Sequence, residues 1–196
     1  MTAKGAMLSQ AFKEWAVVCQ ALASGRQALI IRKGGITEAG GAFTPEHHRF
    51  WLYPTYIHQQ RNGIKPEAVP LMEEVERQRP PHGTLRFTHF AEVSGVYQVH
   101  HLPGVLSLNP LHIWSEETIC KRFEYRAPGV FVLPVRIFRV EEPFTLPERA
   151  EYEGCKTWVE LDQPLPTDSG VTVLDDRAYA NLLEQLDQLL NPTALA

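Results

Sequence analysis

At 196 residues, 44% hydrophobic and 21% charged, the chain has the make-up of a soluble globular protein with a real core, and no apolar run reaches the ~20 residues of a membrane helix. A net charge of −4 excludes a nucleic-acid binder that works by bulk positive charge. The odd, widely spaced Cys19, Cys120 and Cys155 argue against a disulfide framework, and the opening MTAKGAMLSQ lacks a secretory pattern, so a cytoplasmic location is expected.

Charge is uneven along the chain. Residues 1–80 carry ten Lys/Arg against seven Asp/Glu, and residues 81–196 carry nine against sixteen. The acidic second half is therefore a candidate docking face for a protein partner or a second copy. A single domain over 9–190 is expected, with flexible ends at 1–8 and 191–196.

The first element is ambiguous. Phe12, Trp15, Ala16, Cys19, Leu22 and Ala23 recur at helical spacing after Ser9, with Gly25 as the C-terminal stop. A helix over about 9–24 is the preferred reading; a hairpin turning at Ser24-Gly25 is its rival. Either way Gln27–Lys33 reads as a strand. Residues 34–48, with four glycines, read as a loop. The aromatic run around Trp51 precedes Pro54. Pro66 opens a helix to about Gln78 on Val69, Met72 and Val75.

Further on, Leu85, Phe87, His89, Ala91 and Val93 share one parity of a strand, and Gly95 marks a bend or bulge. Ser115 caps a short helix to about Phe123. "GVFVLPVRIFRV" is the most apolar strand, with a bulge expected at Pro134. Two short strands follow. A last helix carries a stripe of Tyr179, Leu182, Leu183, Leu186, Leu189 and Leu190 behind Asp175 or Asp176. The irregular alternation predicts an α+β fold: a curled, mostly antiparallel sheet or barrel flanked by helices, with a C-terminal helix.

Candidate chemistry gathers early in the chain. Arg32 and Lys33 end an apolar strand and must point to opposite faces. The following Gly34 and Gly35 can present free amides to an anion. Tyr53, Thr55, Tyr56 and His58 add rings and hydroxyls that suit a planar ligand. Arg136, among apolar parity neighbours, either pairs with a carboxylate or lines a pocket.

All eight histidines lie between His47 and His112. His47, His48 and His58 are the candidates for a general base, against the plainer reading of surface and capping residues. No Walker loop, GxGxxG, GxSxG, HExxH or PD-(D/E)xK pattern is present, and no metal or cofactor is expected. Carboxylates for acid–base work would come from Glu14, Glu38, Glu46 or Glu92.

Two resemblances rest on quoted stretches. "FKEWAVVCQALASGRQALIIRKGGI", "HHRFWLYPTYIHQ" and "FVLPVRIFRVEEPFTLPERAEYEGCKTWVEL" resemble the bacterial family called domain of unknown function 1802, over about residues 11–162. Members that occur beside restriction-endonuclease-like domains imply a nucleic-acid context. More remotely, the order of elements resembles the ASCH branch of PUA-like domains. There Gly25 and Arg32 match the family's pattern, whereas Gln27 and Ile30 stand where its hydrolytic lysine and glutamate would be. The resemblance thus implies RNA or nucleoside binding more than hydrolysis. The expected function is a nucleic-acid or nucleotide-binding module built on Arg32 and Lys33. The alternatives are a nuclease or nucleoside hydrolase with a histidine base, and an accessory subunit of a restriction or defence system.

Overall fold

The structure, a computed structural model, describes residues 6–33, 47–154 and 156–191. Gly34, Gly35 and the rest of the expected loop to residue 46 lie outside the described residues, as do Cys155 and most of the two ends taken as flexible.

The N-terminal helix begins later than expected. Met7–Trp15 is a strand, β1, and only Ala16–Ala23 is helical, α1. Residues 7 and 8, expected in a flexible end, pair with Pro166 and Leu165. The hairpin rival also fails, since the chain turns helical at Ala16. Tertiary pairing overrides the helical spacing here. Adjacent Ala11 and Phe12 are both buried, in different clusters, as a strand covered on both faces requires. Gly25 at φ +72 follows the helix in the left-handed conformation, and a Cβ there would meet Leu174 at 2.8 Å.

The remaining elements are β2 (Leu29–Arg32), β3 (Arg49–Thr55), α2 (Val69–Arg77), β4 (Thr84–Val93), β5 (Tyr97–Val99), α3 (Leu102–Ser107), α4 (Glu116–Glu124), β6 (Val130–Pro147), β7 (Trp158–Pro166), β8 (Val171–Thr172) and α5 (Asp176–Leu190). Together the strands form an open, mostly antiparallel sheet in the order β2-β6-β4-β3-β1-β7, with β5 and β8 pairing β6. The β1–β3 pair is parallel, which the α1 connection makes possible.

One cluster packs α1, β2, α4, Trp114 and Leu186 of α5 on one face of the sheet. A second, around Trp51, Phe87 and Phe90, fills the other face. The α5 stripe is thus partly taken up at home: Tyr179, Leu186 and Leu190 are buried.

Two strand details differ from expectation. A register shift between Phe87 and His89 breaks the single parity read for β4, so Phe90 rather than His89 continues the buried row of Leu85 and Phe87. Pro134 sits in an unbroken register with β2, with no bulge. Its carbonyl accepts from Ser94 N at 3.0 Å, so its hydrogen-free nitrogen faces the same edge, at the bend between β4 and β5. No ladder donor is needed there.

Candidate functional site

Arg32 and Lys33 leave β2 in different directions. The Arg32 guanidinium lies over the Phe12 ring at 4.5 Å and donates through Nη2 to Lys13 O at 2.9 Å, which draws the end of β2 towards β1. Its Nε is buried without a partner. Lys33 turns the other way and places its ammonium among the carbonyls of Phe123, Ala127 and Gly129. Three acceptors satisfy its three donors. Lys33 therefore fastens the end of α4 to β2 and is not a vacant anion receptor. Burial lowers its pKa.

Beside that clamp a cleft of about 350 Å³ opens, within the range of small-ligand sites. Trp15, at the β1–α1 junction, forms one wall. The turn from His58 to Gly63 forms the second, and α4 supplies Thr118, Lys121 and Arg122 from one face. Tyr125, largely exposed, stands at the end of α4.

Local sequence explains the geometry. Ser115 caps α4, its hydroxyl accepting from Thr118 N at 3.3 Å. Residues 118, 121, 122 and 125 then recur at helical spacing towards the cleft. Gly63 allows its turn to lie against the Trp15 ring: an added Cβ would stand 2.6 Å from that ring. His58 has φ +73, a left-handed conformation uncommon for a residue with a side chain.

The floor of the cleft is cationic. The Arg122 guanidinium stacks 3.7 Å from the centre of the Trp114 ring, and Trp114 meets Trp15 edge-on at 4.9 Å. Arg122 Nη1 donates to Ile31 O at 2.8 Å. Burial lowers its pKa to about 10, with Glu14 opposing the shift and Arg32 adding to it. Glu14, the buried carboxylate nearby, already accepts from Trp15 N at 2.9 Å at the start of α1. Gln59 completes that cap by accepting from Val17 N at 3.3 Å.

The other expected site residues lie elsewhere. Tyr53 faces the second core, its hydroxyl donating to Glu148 at 3.2 Å, and burial raises its pKa further. Tyr56 lines a smaller pocket of about 120 Å³, with Arg79 over its ring at 4.6 Å. The Thr55 hydroxyl donates to Glu14 O at 3.0 Å. Arg136 pairs with Asp176 and lies over Tyr179. The His47 ring packs edge-on to Trp158 at 5.1 Å, and His48 O accepts from Val93 N. Among the three candidate bases, only His58 lines the cleft.

Sequence reasoning missed Trp15, Lys121, Arg122 and Tyr125. The available signal was the "KR" doublet inside a short helix preceded by tryptophan, but the pairing of that helix with Trp15 is a long-range fact. Among the described residues no group of three or more His, Cys, Asp or Glu could hold a metal ion. Cys19 is a buried free thiol whose pKa burial raises well above normal, so it is poorly suited to be a nucleophile.

An open, mostly antiparallel α+β sheet with a basic, tryptophan-lined cleft at one end is the class of protein defined here. The chain belongs to the family described as Domain of unknown function (DUF1802), whose model matches residues 11–185. No curated protein matches it. Among solved structures it is similar to an ASCH protein from Zymomonas mobilis, at 15% identity and a TM-score of 0.44 over 89% of this chain and 93% of that one. A serine-to-alanine variant and a tyrosine-to-phenylalanine variant of the same protein match at 14% identity and a TM-score of 0.44, each over 89% of this chain. They cover 94% and 96% of those chains respectively. No helix among the described residues is long and apolar enough to cross a membrane.

Proposed function

We propose that the protein binds single-stranded nucleic acid or a nucleotide in the cleft between Trp15, the His58–Gly63 turn and α4. The observation that carries this reading is Arg122, a guanidinium stacked on Trp114 at the floor of an open cleft, with Lys121 and His58 at the rim. Planar rings suit bases, and cations suit phosphates. The expected pair of Arg32 and Lys33 acts here by placement: Lys33 holds the end of α4, and Arg32 adds positive charge behind Arg122. A nucleic-acid ligand also fits the link to restriction-type nucleases implied by the sequence resemblance.

The test is a fluorescence-anisotropy titration of labelled single-stranded RNA and DNA at two salt concentrations. Wild type should bind, and more weakly at higher salt. Lys121→Glu should weaken binding by about tenfold or more, since it replaces an attractive charge by a repulsive one. Arg136→Ala, outside the cleft, should bind as wild type. Equal binding by all three proteins would overturn the reading.

A second reading, hydrolysis with a histidine base, rests on His58 alone, which lines the cleft in a strained backbone conformation. It requires that His58→Gln bind normally and lose all turnover in a nuclease and nucleoside-hydrolase screen. Turnover that survives His58→Gln would reject it.

A further inference from the structure

The charges around the cleft do not cancel. Arg122 makes one hydrogen bond to protein among the described residues, to Ile31 O. Arg32, close enough for its charge to act on Arg122, leaves Nε buried and unpaired. No carboxylate lies within ion-pair distance of either guanidinium among the described residues. Glu14 sits near both, but its oxygen serves the start of α1. At the rim, Lys121 is already paired with Glu117. Counting the described residues of the cleft's charged lining with the two groups behind it, Arg32, Lys33, Lys121 and Arg122 face Glu14 and Glu117, an excess of two positive charges among the described residues.

Half-buried guanidiniums without an ion-pair partner are costly, and a bound anion is the ordinary way of relieving them. The guanidinium fork matches a phosphate in geometry, and its N–H groups that find no protein acceptor can engage two oxygens together. Two excess positive charges match a dianion. A terminal phosphate monoester carries nearly two negative charges at neutral pH, whereas an internal phosphodiester carries one.

We propose that Arg122, backed by Arg32, forms a receptor for a terminal phosphate monoester, so that the cleft recognises the phosphorylated end of a single strand or a free nucleoside monophosphate. This inference rests on the nucleic-acid reading and sharpens it. Trp15 and Tyr125 are then placed to flank the base or sugar next to that phosphate. Arg122 would be a ligand-contacting residue and Arg32 a positioning one.

The test compares ligands on the wild-type protein. Oligonucleotides of one sequence bearing a 5′-phosphate, a 3′-phosphate or hydroxyl ends are titrated, alongside adenosine monophosphate and adenosine. At least one phosphorylated end should bind about tenfold to a hundredfold more tightly than the hydroxyl-ended strand, the size of a charge-assisted hydrogen-bonding group. Preference for the strand end over the free nucleotide identifies the source. Arg122→Lys keeps the charge and loses the fork; with a near-unchanged melting temperature it should lose most of the end preference. Arg32→Lys should weaken that preference less.

Binding that is equal for phosphorylated and hydroxyl ends overturns the end-recognition proposal and leaves general strand binding standing. Absence of binding to every strand and nucleotide overturns both. An end preference that survives Arg122→Lys intact also overturns the assignment to Arg122.

Discussion

Gly63→Ala is the smallest change that should disturb both the fold and the cleft. The methyl would stand 2.6 Å from Trp15 Cη2 and 2.7 Å from Cζ3. Carbon atoms in contact settle near 3.5 Å, so ring or backbone must retreat by roughly 0.9 Å. Neither side yields easily. The Trp15 ring abuts the fully buried Trp114, while Gly63 N donates to Gln60 O at 3.0 Å and Gly63 O accepts from Ser115 N at 3.0 Å. Overpacking of this kind costs about 1–3 kcal/mol. Because Trp114 carries the Arg122 guanidinium, the displacement should pass to the floor of the cleft. Urea unfolding followed by tryptophan fluorescence measures the stability term, and near-ultraviolet circular dichroism reports the Trp15–Trp114 contact. Gly83→Ala is the comparison, with φ +77 but no atom within 4 Å of its added Cβ; backbone strain alone should cost about 1 kcal/mol. If Gly63→Ala is as stable as wild type, with an unchanged tryptophan spectrum and unchanged binding, the account of this wall is wrong.

Lys33→Met removes an ammonium from three carbonyls and should destabilise the protein by about 1–3 kcal/mol, read by thermal unfolding; an unchanged midpoint would contradict the clamp. His112 is buried, and burial with the nearby Lys65 and Arg122 lowers its pKa to about 3, against a smaller opposing effect of the Trp114 backbone. The unfolded chain binds that proton first, near 6.5, so stability should fall as pH drops from 6.5 towards 3, by at most about 5 kcal/mol. His89, whose pKa burial and Arg139 lower to about 4, adds a slope of the same sign. His112→Gln should flatten part of that slope in urea titrations, and a slope identical to wild type would refute the assignment. Arg136→Ala should change stability by no more than about 0.5 kcal/mol, because its partner Asp176 is 91% exposed. Iodoacetamide should leave Cys19 unmodified until the chain unfolds, which mass spectrometry of the digested protein checks.

Much of the architecture was legible where local chemistry and tertiary demand agree. Ser115 and Asp175 cap their helices through their own side chains, and the apolar β6 strand holds four partners. Legibility failed at β1. Its helical spacing is real, but its position between β3 and β7 decides the outcome, and pairing partners forty or more residues away leave no local mark. The single parity read for β4 failed at a register shift that alternation cannot announce. The site divided in the same way. That Arg32 and Lys33 face apart follows from strand geometry alone. That Lys33 would meet carbonyls at the end of α4, and that Arg122 would come to rest on Trp114 beside Trp15, depends on contacts between distant segments.

The four tryptophans offer the most direct test of the cleft itself. Trp15 and Trp114 stand at or just behind it, while Trp51 lies in the second core and Trp158 packs against Phe12 and His47. With nitrogen-15 labelling, each indole N–H gives its own signal. Titration with a single-stranded oligonucleotide should shift the Trp15 and Trp114 signals and leave that of Trp51 in place. Binding that moves only the Trp51 or Trp158 signals, or none of the four, would contradict the assignment of this cleft.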